Sequence, residues 1–131
     1  MKKAVLLLLV GIIFQQLVFA QGKVTFKPEK PKAGEKITIS YNPAGSKIEK
    51  AEAISFLVHA YGKDIYSTDE YELKKEGAEW VGSFSLADTC AGAVLRFTDG
   101  KEFDNNGSKC FPVRLYGSDG KLAKYASSGL A

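Results

Sequence analysis

Apolar and polar residues alternate with a period of two over much of this chain, the pattern of strands that bury one face and leave the other wet. The clearest run is residues 35–41, which sets Ile37, Ile39 and Tyr41 on one side and Lys36, Thr38 and Ser40 on the other. A second run places Ile54, Phe56, Val58 and Ala60 inward and Ser55, Leu57, His59 and Tyr61 outward. Leu57 makes that outward face incompletely polar, so another sheet edge or a ligand is expected to cover it. Trp80, Gly82, Phe84 and Leu86 alternate with Glu79, Val81, Ser83 and Ser85. Ala93, Leu95 and Phe97 alternate with Val94 and Arg96, and Val113 and Leu115 with Arg114 and Tyr116. Shorter pieces are an edge strand at Val24 and Phe26, a strand at Tyr71 to Leu73, and a terminal hairpin in which Ser118-Asp119-Gly120 turns the chain into Leu122 to Tyr125.

Between these runs lie turn formers: Pro28, Pro31 and Gly34; Pro43-Ala44-Gly45-Ser46 within a loop at 42–50; Gly62-Lys63-Asp64; and Gly77. There is no long amphipathic helix, no repeat of fixed period and no low-complexity tract. Seven or eight short strands bury their apolar faces most economically as two packed antiparallel sheets. The expected fold is therefore all-β, an immunoglobulin-like sandwich.

Residues 1–20 break the alternation. Lys2 and Lys3 precede a largely apolar stretch that ends at Val18-Phe19-Ala20, the layout of a cleavable signal peptide. The stretch is interrupted by Gln15 and Gln16 and falls short of the roughly 20 apolar residues needed to cross a bilayer. Residues 21–131 are then a single exported domain, periplasmic, cell-surface or secreted, with no stable membrane span after cleavage. Removing Lys2 and Lys3 leaves 16 of the 18 basic residues against 15 acidic ones, a net charge of +1. That balance offers no electrostatic reason to bind nucleic acid or an anionic membrane.

Export also bears on the two cysteines. Cys90 and Cys110 are both in the exported part, and an oxidising compartment favours a structural disulfide between them, closing a segment of about 20 residues. Their spacing is not Cys-x-x-Cys, which argues against a redox-active pair.

Three further constellations point to chemistry. Asp99, Asp104, Asn105 and Asn106 offer oxygen ligands for calcium, although their spacing departs from the EF-hand pattern and a polar turn needs no metal. Asn106-Gly107-Ser108 matches the acceptor triplet for asparagine glycosylation. His59, Tyr61, Tyr66, Tyr71 and Trp80 suggest an aromatic face on which sugar rings stack, while the parity that Trp80 shares with Phe84 and Leu86 argues for the core instead. A single histidine with no nucleophile paired to it in the sequence speaks against an enzyme, and one His with two distant Cys against zinc. No cofactor is expected.

Phe26-Lys27-Pro28, the run Pro31-Lys32-Ala33-Gly34-Glu35-Lys36-Ile37-Thr38-Ile39-Ser40-Tyr41-Asn42-Pro43, Phe97-Thr98-Asp99-Gly100 and Asp104-Asn105-Asn106 resemble the non-catalytic, amino-terminal β-sandwich domains of exported Bacteroidetes thioredoxin-like proteins. The resemblance spans roughly residues 24–126. It implies an accessory or protein-interaction domain whose partner is another protein or a neighbouring domain of the same chain. Such proteins carry their redox centre in a separate thioredoxin-like domain. With no Cys-x-x-Cys here, oxidoreductase activity does not transfer, and the chain reads as truncated before a further module or as a stand-alone relative. Gly34-Glu35-Lys36-Ile37-Thr38-Ile39-Ser40-Tyr41-Asn42 and the Asp-Asn-Asn turn are also similar to small starch- or glycan-binding sandwiches, which makes a carbohydrate-binding module one alternative. A structural spacer is another.

Overall fold

The computed structural model describes residues 22–123. The expected signal peptide at 1–20 and the end of the expected terminal hairpin, Lys124 and Tyr125, lie outside the described residues. None of the described residues is helical. The strands are β1 (Lys23–Lys27), β2 (Lys36–Asn42), β3 (Ser55–Gly62), β4 (Tyr66–Glu72), β5 (Lys74–Glu76), β6 (Glu79–Ser85), β7 (Cys90–Thr98), β8 (Phe103–Asp104) and β9 (Phe111–Arg114).

They form two antiparallel sheets, one ordered β1-β2-β6-β5 and the other β4-β3-β7, with β8 and β9 both pairing with β7. This is the immunoglobulin-like arrangement, four strands against a sheet extended by one additional edge strand, here β4. The short β5 and β8 are strands that the alternation did not announce.

Alternation explains which side chains meet. Ile37, Ile39 and Tyr41 of β2, Phe56, Val58 and Ala60 of β3, Trp80 and Phe84 of β6, Ala93, Leu95 and Phe97 of β7, and Phe111 and Val113 of β9 are all buried between the sheets. The centre is aromatic. Tyr41 stacks on Phe97 with ring centroids 3.7 Å apart, and Phe111 meets Phe97 edge-on at 5.2 Å. Gly82 keeps the inward parity of β6 because a Cβ there would come within 2.6 Å of the Leu73 side chain and 3.0 Å of Phe56.

Two features escape the period-two pattern. The loop between β2 and β3 carries a buried plug, Ile48, held in a turn where the Ile48 N–H donates to Ser46 Oγ and the Gly45 N–H to Glu49 Oε2. Strand β4 begins at Tyr66, five residues before the expected strand start at Tyr71, through a polar run whose pairing is set by β3: Tyr61 faces Tyr66 and Ser55 faces Glu72. The terminal hairpin begins as expected with a bridge between Tyr116 and Leu122.

The expected disulfide is corrected. Cys90 and Cys110 are both free thiols. Strand β9 runs antiparallel to β7 with Leu95 opposite Phe111, so Cys110, the residue before Phe111, lies at the Leu95 end of the ladder, and Leu95 is five residues along β7 from Cys90. At about 3.4 Å per residue that span is roughly 17 Å, whereas a disulfide needs Cα atoms within about 7 Å. Cys90 and Cys110 lie just beyond opposite ends of the β7–β9 ladder.

Candidate functional site

The sheet containing β4, β3, β7 and β9 has an outer face unlike that of the other sheet. Its strand registers place residues in rows. Tyr66, Tyr61, Gly92 and Arg114 form one, Thr68, His59, Val94 and Pro112 the next, and Glu70, Leu57 and Arg96 a third. A fourth holds Glu72, Ser55, Thr98 and Phe103. Leu57, His59, Tyr61, Val94 and Arg96 are half-buried, and Tyr66, at 77% exposure, is the most exposed large hydrophobic side chain among the described residues. On the other sheet the outward residues are Lys23, Thr25 and Lys27 of β1, Lys36, Thr38 and Ser40 of β2, and Glu79, Val81, Ser83 and Ser85 of β6. One face is mixed aromatic, aliphatic and cationic; the other is almost wholly polar.

Local packing gives the first face its relief. Gly92 has no side chain, and the Tyr61 ring occupies that space; a Cβ at Gly92 would lie 2.5 Å from the Tyr61 hydroxyl oxygen. Burial raises the Tyr61 phenol pKa, an effect that the Arg114 charge offsets in part. Arg96 lies over the Phe103 ring, 4.3 Å from its centroid, in a cation–π contact. Its Nε is buried without a hydrogen-bond partner. His59 Nδ1 and Thr68 Oγ1 are 2.9 Å apart, and burial, with the Arg96 charge second, lowers the histidine pKa. At neutral pH this face therefore presents a neutral imidazole between aromatic and guanidinium groups.

The five residues expected to form a sugar-stacking face divide. His59, Tyr61 and Tyr66 share the outer face. Tyr71 has the opposite parity on β4 and stacks on Phe56 at 5.3 Å, while Trp80 is 5% exposed in the core with Lys75 Nζ 5.9 Å from its ring centroid. The aromatic face is smaller than expected because strand parity sends two of its members inward.

Two members of the expected calcium set, Asp99 and Asp104, are engaged by the fold itself. Asp99 sits in the exposed β7–β8 turn, where its Oδ1 accepts the N–H groups of Glu102 and Lys101, and these bonds lower its carboxyl pKa. Asp104 faces the core, 3% exposed; Oδ2 accepts the Tyr41 hydroxyl at 2.6 Å and Oδ1 accepts the Asn106 N–H. Both carboxylates are thus engaged by the fold's own donors. Among the described residues no group of three or more His, Cys, Asp or Glu is placed to hold a metal. The Asn106 side-chain nitrogen donates to the Cys110 carbonyl, so the glycosylation triplet is tied into its own loop.

Sequence reasoning missed two elements of this surface. Arg96 and Phe103 come together only through the β7–β8 hairpin, and β4 has no hydrophobic pattern to announce it. The available signal was Leu57, an apolar residue on an otherwise outward parity. Fold and face together define a class, an immunoglobulin-like sandwich with one amphipathic outer sheet. Comparison with protein-family models and with curated proteins finds no match.

Proposed function

We propose that this chain is a non-catalytic accessory domain of an exported protein and that it works by presenting the β4-β3-β7-β9 face to another protein or to a neighbouring domain. The observation that carries this reading is the asymmetry between the two outer faces. A sheet face that serves only as a wall is polar, as the β1-β2-β6 face is, whereas Leu57, Val94 and the Tyr61 ring gain from losing water. The surrounding Arg96, Arg114, Glu70 and Glu72 supply the polar rim expected of a protein contact.

A photo-crosslinking residue at His59, with one at Ser83 as the opposite-face control, tests this in the native exported chain. Adducts with a discrete protein from position 59 alone, lost on Leu57→Asp, are the expected result. Equal labelling from both positions, or none from either, overturns the reading. The glycan alternative rests on His59, Tyr61 and Tyr66 sharing one face; saturable sugar binding that disappears in Tyr66→Ala would favour it. Export predicts a mature amino terminus at Gln21, which terminal sequencing of the protein from its host checks.

A further inference from the structure

We infer that the free edge of β4 takes up an extended, lysine- or arginine-bearing protein segment as an added strand. The inference rests on the protein-interaction reading above and names the partner's chemistry. Strand β4 is seven residues long and, among the described residues, pairs on one side only, with β3. The orientation of its remaining backbone groups follows from one bond. The Gly62 N–H donates to the Ile65 carbonyl at 2.9 Å, closing the β3–β4 hairpin and marking that pair as hydrogen-bonded. Since bonded and non-bonded pairs alternate in an antiparallel ladder, Tyr66, Thr68, Glu70 and Glu72 turn their N–H and C=O groups away from β3, toward solvent.

Exposed edges of this kind pair with other chains unless they are blunted by shortness, by proline or by charged side chains, lysine above all. The other edges of the sandwich show those devices. Strand β1 has a lysine at each end and runs into Pro28, β5 is three residues with two lysines, and β9 contains Pro112. Strand β4 has neither proline nor lysine and is not short; its only guard is acidic, with Glu70 and Glu72 on the outer face and Asp69 on the inward parity opposite Val58. From Asp64 to Glu72 the chain contains four carboxylates, Asp64, Asp69, Glu70 and Glu72, and no cation. Self-pairing of two β4 edges would oppose like charges, which is unfavourable. An incoming strand with cations at alternate positions would instead set them beside Glu70 and Glu72, on the face where Tyr66 offers an exposed ring for a further contact. Backbone bonds then supply affinity and the alternating side chains supply selectivity.

The test uses the full chain and a capped synthetic peptide of about nine residues alternating Lys with Val and Thr, followed by fluorescence anisotropy. The expected result is saturable binding that falls roughly tenfold or more in Glu70→Pro, which removes one outward N–H while leaving the β3 ladder intact. Methylating alternate backbone nitrogens of the peptide is expected to abolish binding, as is replacing its lysines with glutamates. Glu70→Lys combined with Glu72→Lys gives a second variant that keeps every backbone donor and should reverse the preference toward the glutamate peptide. Binding that survives both Glu70→Pro and peptide methylation overturns strand addition. So does no binding at all, or self-association of the unliganded protein that Glu70→Pro abolishes. Any of these, alongside intact crosslinking from His59, would remove the edge inference and leave the proposed contact face standing.

Discussion

At the residue scale the most consequential contact is Tyr41 to Asp104. It joins β2 of one sheet to β8 of the other through a hydrogen bond that neither residue could make from its own strand. Burial first, and the Asp104 hydrogen bond second, push the Tyr41 phenol far above its ordinary 10.0. The folded pKa lies above the unfolded one, so the associated stabilisation is complete below about pH 10 and is lost as pH rises beyond it. An alkaline absorbance titration should accordingly show one tyrosine that ionises only when the protein unfolds. Tyr41→Phe leaves the Asp104 carboxylate oxygen buried without its donor and is expected to cost about 1–3 kcal/mol in denaturant unfolding. His59 carries the opposite shift. Because it is the chain's single histidine, its ring proton signals are unambiguous, and their NMR titration should have a midpoint below 6.5. Arg96→Gln should raise that midpoint without fully restoring it, since burial is the larger cause. The depressed folded pKa also means that this residue's contribution to stability is present above pH 6.5 and declines as pH falls through the folded midpoint.

Elements differ in how plainly the sequence announces them. In β2, β3, β6 and β7 the inward set could be read directly from alternation, because each strand is buried on one side and a shift of one residue would expose every apolar side chain. In β4 it could not. Tyr66-Ser67-Thr68-Asp69-Glu70 has no apolar face, and only the β3 ladder and a tight hairpin make it a strand. Ile48 was hidden for the complementary reason: an isolated apolar residue in a Gly- and Pro-containing loop carries no period, yet its loop folds back to plug the core. Glycine marks a third case. A glycine inside a strand ordinarily weakens it, but Gly92 is the seat for Tyr61, and Gly92→Ala would drive a methyl group into that ring and against the Val113 carbonyl, 2.9 Å from the new Cβ. A loss of about 1–3 kcal/mol is expected from such overpacking, seen as a lower melting temperature together with altered Tyr61 fluorescence or NMR signals.

For the whole molecule, the cysteines show what separates chain distance from spatial distance. Spacing and compartment alone made Cys90 and Cys110 partners, and the β7–β9 register sets them at opposite ends of a ladder. The folded protein should therefore show no mass gain on reduction. One thiol, Cys110, should react with a maleimide under native conditions, and Cys90, 7% exposed, only after unfolding. Mass spectrometry before and after denaturation checks both outcomes. The sugar-stacking set divided on similar grounds, with parity carrying Tyr71 and Trp80 inward while His59, Tyr61 and Tyr66 stayed out. By itself the sequence determined the fold class, the burial parity of four strands and the odd apolar residue at Leu57, because these depend on local periodicity and turn chemistry. Tertiary structure alone decided that Asp104 is a buried acceptor, that Arg96 rests on Phe103 and that β4 is the edge guarded by carboxylates alone. Each of those depends on register between strands distant in the chain, and register is a property of the assembled sheets.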